Sequence, residues 1–304
     1  MQNSPDNGYN VEQCLADLKA PDPRLEKKRT ELSKDKLLKD SYAWILNNQA
    51  FMDWQANHNT RLLWIKGDPG KGKTMMMIGL VDQLSSQLQA NPGSHIMSYF
   101  FCQDTDPRLN NAVSVLKGLI YFLTTEHEDL IQHIRKRYET AGSQQYEGAS
   151  ALLALWTILM DMVNDPRLIR VYLMIDALDE CDFELSQLLD LINSEPSSKV
   201  KWLVASRGKP DIEEQLRPDN LHSKISLELN SSHISSAVDA FINVKVHELA
   251  SRKKYDDKLR EEVRSYLQDN AGGTFLWVAL VCRRFETYLY HLFIQGQFLK
   301  PSQR

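Results

Sequence analysis

From Arg61 onward, short apolar runs alternate with longer stretches whose apolar residues recur at helical spacing. Five runs predict strands: Leu62 to Lys66, His95 to Phe101, Arg170 to Ile175, Val200 to Ala205 and Lys224 to Leu229. "VYLMI" and "WLVA" are apolar at consecutive positions rather than at every second one, the pattern of strands buried on both faces. Helix-length segments separate the runs. That β-α-β rhythm predicts an α/β fold with a five-stranded, mainly parallel sheet flanked by helices. After the fifth run the pattern is helical only, over Ile234 to Leu249, Lys258 to Asn270 and Thr274 to Tyr290, with Asn270-Ala271-Gly272-Gly273 as the stop between the last two. Upstream, Leu38, Tyr42, Ile45 and Leu46 fall near helical spacing. Residues 1–35 are polar and rich in Pro, Asp and Lys, and read as a linker or irregular lead-in. The expected division is therefore a lead-in over 1–35, a main α/β domain over 36–230, a small helical subdomain over 231–295 and a tail over 296–304.

Between the first predicted strand and the helical "TMMMIGLVDQLSSQL" lies Gly67-Asp68-Pro69-Gly70-Lys71-Gly72-Lys73-Thr74, which fits G-x-x-x-x-G-K-[ST] at every fixed position. Each part has a mechanical reason. Gly67, Gly70 and Gly72 let the chain wrap with its N–H groups pointing inward, and the following helix adds its positive end to the same cradle. Lys73 is expected to reach the β- and γ-phosphates of a nucleotide, and the Thr74 hydroxyl to ligate Mg²⁺. An ordinary Gly/Pro turn would need three glycines and Gly-Lys-Thr to coincide between a strand and a helix. Met75, Met76 and Met77, at the start of the helix, are expected to fill gaps in packing rather than to bind a metal or carry redox chemistry.

Such a site also needs a carboxylate on the metal side, carried at the end of a neighbouring apolar strand. "VYLMIDALDECD" supplies Asp176 there. Asp179 and Glu180 follow within one turn, and one or both are candidates for polarising an attacking water. Ala177 stands directly after Asp176, where many fast ATPases carry a glutamate, which points to slow hydrolysis and a switch rather than a motor. Asp182 reads as a capping or solvated residue. Ser206 and Arg207, at the end of "KWLVAS" and its continuation, are candidate sensors of a terminal phosphate.

Composition narrows the classes. The 304-residue chain is 42% hydrophobic and 25% charged, and its net charge of −4 gives no global basic field for nucleic acid. Cys14, Cys102, Cys181 and Cys282 are widely spread, with no C-x-x-C pair, which disfavours a disulfide framework or structural zinc. No apolar run approaches the ~20 residues of a membrane span, and the polar start lacks a signal peptide's pattern. A cytoplasmic, reducing setting is expected. The mixed-sign charges of "SRKKYDDKLREEVRSYLQDN" suit a solvated helix face.

Taken in order, "WIKGDPGKGKT", "YLMIDALDECD", "WLVASRGKPDIEEQL" and "GGTFLWVALVC" resemble the NACHT nucleotide-binding domain of fungal NOD-like receptors. These belong to the STAND class of signal-transduction ATPases and include heterokaryon-incompatibility proteins. "DPRLEKKRTELSKDKLLKDSYAWILNNQAFMDW" resembles the segment that precedes the P-loop in them. The resemblance implies nucleotide contacts over Gly67, Asp68, Pro69, Gly70, Lys71, Gly72, Lys73, Thr74 and Met75, with Mg²⁺ held through Thr74 and Asp176. It also implies that Asp179, with Glu180 beside it, assists hydrolysis, and that Arg207 senses the γ-phosphate. The implied cofactors are ATP or GTP with Mg²⁺, and ADP or GDP at rest. The implied mechanism is a switch: exchange of nucleotide opens a closed monomer, which then self-associates through the nucleotide-binding domain. Two features depart from the pattern. "NAGGTFLW" lacks the proline with which many STAND proteins touch the nucleotide, and the chain is expected to be truncated before the winged-helix and repeat regions. A second reading is a truncated, non-hydrolysing module that acts as an interaction scaffold or decoy. A metabolic P-loop kinase would need lid arginines, for which only Arg217 is at hand.

Overall fold

The structure is a computed structural model that describes residues 11–34, 39–89, 94–194, 197–217, 219 and 221–288. In chain order its helices and strands are α1 (Val11–Leu18), α2 (Pro23–Ser33), α3 (Ala43–Leu46), α4 (Gln49–Ala56), β1 (Leu62–Lys66), α5 (Lys73–Gln89), β2 (His95–Phe101), α6 (Ala112–Glu126), α7 (Ile131–Ala141) and α8 (Ala151–Val163). There follow β3 (Arg170–Asp176), α9 (Leu185–Ser194), β4 (Val200–Ser206), α10 (Pro210–Gln215), β5 (His222–Ser226), α11 (Ser231–Lys253), α12 (Asp257–Asn270) and α13 (Phe275–Tyr288).

The five strands form one sheet in the order β2-β3-β4-β1-β5, and every pairing is parallel. Alternate residues of a strand point to opposite faces, and the core divides accordingly. Leu62 and Trp64 of β1 join Ile96 and Phe100 of β2 in a cluster with α6, α8 and α9. Leu63 and Ile65 join Met97 and Tyr99 in a second cluster with α4, α5 and the C-terminal helices. Both faces are covered, so β3 and β4 are buried at every position, which is why their sequences do not alternate. Each fully buried Leu, Ile or Val contributes roughly 1.5–3 kcal/mol. Helices α11 to α13 pack mutually beside this second face, forming the helical subdomain.

Local chemistry sets several boundaries. Asp22 caps α2 by accepting the Arg24 N–H, with Pro23 in the first turn. Asn111 caps α6 through the Ser114 N–H, and Asp256 caps α12 through the Leu259 N–H. α11 ends at Lys254, whose φ of 55° is left-handed.

Two expectations change. The segment read as a linker or irregular lead-in carries α1 and α2, and both pack. Cys14 and Leu18 are fully buried, and Pro23 is buried against the Phe100 and Gly118 region. Composition misled because α2 holds its place mainly through ion pairs, Lys27 to Asp82 (2.8 Å) and Arg24 to Glu126 (2.8 Å). The fifth strand runs over His222–Ser226 rather than Lys224 to Leu229, with its register set by Leu62 opposite His222. Leu227 instead packs under Gly67, and Leu229 is 86% exposed. Leu38, Tyr290 and the expected tail over 296–304 lie outside the described residues. All four cysteines are buried. Among the described residues no helix is long and apolar enough to cross a membrane.

Candidate nucleotide site

The site begins where β1 ends. The Gly67 N–H donates to the Ser206 carbonyl (3.2 Å), which extends the β1–β4 ladder by one bond before the chain turns away. Gly70 and Gly72 have φ of +80° and +85°, a region that side chains disfavour by roughly 1–2 kcal/mol. α5 then starts at Lys73, with the Met76 N–H donating to Gly72 O (2.9 Å). The first N–H groups of α5 have no helical partners, and with the helix dipole they make this end attract anions. Lys73 folds over its own loop, its Nζ donating to the carbonyls of Gly67 (2.5 Å) and Asp68 (3.1 Å). Burial pushes the Lys73 ammonium down from its ordinary pKa, while the carboxylates of Asp179 and Asp176 oppose the shift. Asp68 and Pro69 are exposed on the rim, Lys71 and Met75 are intermediate, and Met76 and Met77 are buried as packing.

Asp176 closes β3 and is 2% exposed. Burial raises its carboxyl to about 6, against a lowering hydrogen bond from the Thr74 hydroxyl. The Thr74–Asp176 pairing therefore unites the two halves of the site expected from sequence. Asp176 Oδ1 is buried without a hydrogen-bond partner.

Beyond Asp176 the chain makes a tight turn. Ala177 is left-handed (φ 52°, ψ 43°), and a short 3₁₀ turn over Leu178–Glu180 follows. That turn aims Asp179 at the end of β4. Asp179 Oδ1 accepts the Arg207 N–H (2.9 Å), its Oδ2 lies 3.1 Å from Arg207 Nε, and its carbonyl accepts from Lys209 Nζ (2.5 Å). At 3% exposure, Asp179 holds Arg207 in place. Glu180 accepts the Asp104 N–H (3.2 Å) and lies 3.6 Å from the Arg207 guanidinium. Burial raises the Glu180 carboxyl above its ordinary value. The Ser206 hydroxyl, in contrast, is sealed beneath the site: it accepts from Trp64 Nε1 (2.8 Å) and donates to the Arg207 carbonyl (2.9 Å). It supports the strand end and does not face a ligand.

The helical subdomain touches the loop directly. Lys71 Nζ donates to the carbonyls of Gly272 (3.0 Å) and Gly273 (3.1 Å). A Cβ added to Gly70 would lie 2.7 Å from Thr274, and one on Gly72 would lie 2.9 Å from the Phe275 ring. The "AGGTF" turn, which lacks the expected proline, thus sits against the outer face of the loop. Sequence reading missed one contact. Glu228, placed inside the expected fifth strand, lies just beyond it and accepts the Asp68 N–H (2.7 Å), while its second oxygen takes the Ser226 hydroxyl (2.9 Å). The signal available was an acid immediately after the strand neighbouring β1.

Residues 40–207 match the family model described as Nephrocystin 3, N-terminal, a span that runs from before the loop through Asp176 to Arg207. The chain belongs to that family. It is a NACHT/STAND-type NTPase domain, 50% identical over 272 residues to the vegetative incompatibility protein HET-E-1 of Podospora anserina. That alignment covers 89% of this chain and 20% of HET-E-1, so the chain spans about one fifth of the length of that relative. Looser likenesses join it to a chain of the Drosophila ORC bound to DNA (15% identity, TM-score 0.42, covering 94% of this chain and 62% of that one) and to C. elegans PCH-2 (12%, 0.39, 89% and 59%).

Homology supports nucleotide binding and NTPase activity for this NACHT domain. Its residues fit the magnesium nucleotide such a domain implies. The glycine cradle admits no Cβ without collision, the helix end and Lys73 favour phosphate, and Asp176 presents a buried, unpaired oxygen beside the Thr74 hydroxyl. Among the described residues no group of three or more His, Cys, Asp or Glu is suited to hold a metal. A cation here would therefore rest on one hydroxyl, one carboxylate, phosphate oxygens and water, the ligand set Mg²⁺ prefers.

Proposed function

We propose that the domain binds ATP or GTP with Mg²⁺, hydrolyses it slowly, and works as a conformational switch in a signalling protein of the fungal incompatibility type. The observation that carries this reading is the joining of three elements at one loop. Thr74 and Asp176 meet on its metal side, Arg207 is held by Asp179 at the end of β4, and Lys71 ties the loop to the helical subdomain.

Bound Mg²⁺ would neutralise phosphate charge and polarise the terminal phosphoryl group. Thr74 and Asp176 are the residues that would hold it. Lys73 supplies a cation whose burial strengthens its attraction for phosphate. Arg207, whose backbone N–H is bonded to Asp179 and whose Nε lies 3.1 Å from it, offers its guanidinium to charge that develops on hydrolysis. Asp179 and Glu180, both beside Arg207, are the acids placed to orient a water. Ala177 supplies no acid directly after Asp176, which accords with slow turnover. The contact of Lys71 with Gly272 and Gly273 gives loop movement a route to α13 and to self-association through this domain. The setting proposed is cytoplasmic.

Equilibrium binding of fluorescent ADP, ATP and GTP analogues with Mg²⁺, to wild type and Lys73→Ala, tests the reading. Losing the lysine should weaken binding by about ten- to hundredfold or more, the worth of its charge-assisted bonds, with turnover lost in parallel. A folded wild type that binds neither purine nucleotide would refute the proposal and favour an interaction scaffold.

A further inference from the structure

A cleft of about 200 Å³ opens beside Thr74 and Asp176, on the β2 side of the loop and away from Arg207. At about 30 Å³ per liquid water, it has room for a hydrated divalent ion. One wall is the end of β2 and its continuation, with Phe101, Cys102 and Gln103. The opposite wall is α2, with Glu26, Thr30, Ser33 and Lys34. Nothing in the G-x-x-x-x-G-K-[ST] motif or in the family match over 40–207 includes α2.

Two carboxylates face this small space. Asp176 is 2% exposed, with Oδ1 unpartnered. The Glu26 side chain is 16% exposed, and its ion pair to Arg29 is long, at 3.4 Å. The Lys34 ammonium lines the same cleft and favours the charged form of Asp176, which leaves two carboxylates against one cation, and a divalent ion between the carboxylates would complete the neutralisation. Hydroxyls of Thr30 and Ser33, both lining the same wall, suit a shell of metal-bound water. Ion pairs seat this wall on the sheet and its helices. Lys27, with its side chain 13% exposed, reaches Asp82 on α5 (2.8 Å), Arg24 reaches Glu126 on α6 (2.8 Å), and Arg29 lies 3.7 Å from Asp106 beyond β2.

We infer that α2 is the outer wall of the metal subsite, and that Glu26 is a positioning carboxylate that hydrogen-bonds the water shell of the divalent cation held by Thr74 and Asp176. This rests on the nucleotide reading given above. It makes α2, the helix just upstream of the matched family region, responsive to the presence of a metal–triphosphate.

The test is a Mg²⁺ titration at fixed fluorescent triphosphate, with Mn²⁺ binding followed in parallel by electron paramagnetic resonance. Wild type, Glu26→Gln, Glu26→Asp, Arg29→Ala and Lys28→Ala are compared, each checked for its thermal transition. Loss of an outer-shell partner costs roughly ten- to hundredfold in metal affinity, so Glu26→Gln should need that much more Mg²⁺, with Glu26→Asp intermediate. Binding with the metal chelated should match wild type. Arg29→Ala, which removes the ion pair but leaves the carboxylate, should not raise the midpoint, and neither should Lys28→Ala on the exposed face. A wild-type midpoint in folded Glu26→Gln, or a rise in Arg29→Ala equal to that in Glu26→Gln, overturns the inference while leaving the nucleotide reading intact. Failure of wild type to bind triphosphate at saturating Mg²⁺ overturns both.

Discussion

Asp176 ties function to a measurable cost. Its carboxyl stands at about 6 in the fold, against an ordinary 3.8, because burial disfavours the charged form more than Thr74 and the nearby cations favour it. A folded pKa above the unfolded one means that the native state holds the proton more tightly, so stability falls as pH rises through that window. The full penalty, about 3 kcal/mol, is present above pH ~6. Asp176→Asn removes the titration but brings its own fixed term from the amide, and comparing the two proteins across pH separates these. Between about pH 4.5 and about pH 8 the stability difference should move by about 2 kcal/mol in favour of Asn. The assay is urea denaturation of both proteins, free of nucleotide and with divalent metal chelated. The same substitution should abolish Mg²⁺-dependent nucleotide binding, giving a variant that is relatively more stable at high pH and inactive. A stability difference that stays flat across the range would refute the account of Asp176 as a buried, ionisable carboxylate.

Three further outcomes follow from the same geometry. Arg207→Ala should slow turnover by about a hundredfold and leave diphosphate affinity within about twofold, and Asp179→Asn should reproduce part of that loss because Asp179 positions the guanidinium; single-turnover kinetics with parallel binding would check both. Lys71→Ala removes two bonds to the "AGGTF" turn, and at about 1 kcal/mol hydrogen exchange around Gly272 to Phe275 should quicken about fivefold. Lys201 is fully buried, with its ammonium pushed down to about 8 by burial and by Arg170, and it donates to the carbonyls of Asn57 and Thr60. Its folded pKa lies below the unfolded one, so stability should rise with pH through this window, by about 2 kcal/mol between about pH 7.5 and about pH 9.5 relative to Lys201→Met, as read by urea denaturation.

What the sequence made legible divides along a physical line. Strands buried on both faces write themselves as unbroken apolar runs, and β1 to β4 fall within one residue of the expected limits. The loop was equally plain, because Gly70 and Gly72 are required by positive φ and by the closeness of Thr274 and Phe275. β5 was misplaced because it is a sheet edge, where pairing with β1 sets the register and the apolar Leu227 and Leu229 serve other ends. The roles of Asp179 and Ser206 were blurred for a related reason. Both follow the right strands, but which of them faces a ligand depends on the left-handed turn at Ala177 and on the Trp64 indole below, and neither leaves a pattern at fixed spacing.

The same reasoning explains why α2 was invisible. A helix that buries little beyond Pro23 and attaches through Arg24, Lys27 and Arg29 has the composition of a linker, because ion pairs place charged residues where apolar periodicity would otherwise announce packing. Such attachment is also weaker and more dependent on salt than apolar burial. An element held that way can shift when the charge in the cleft it borders changes, whereas the strands and α5 cannot shift without breaking the core. The polar character that disguised α2 as a linker is therefore what suits it to respond to the site.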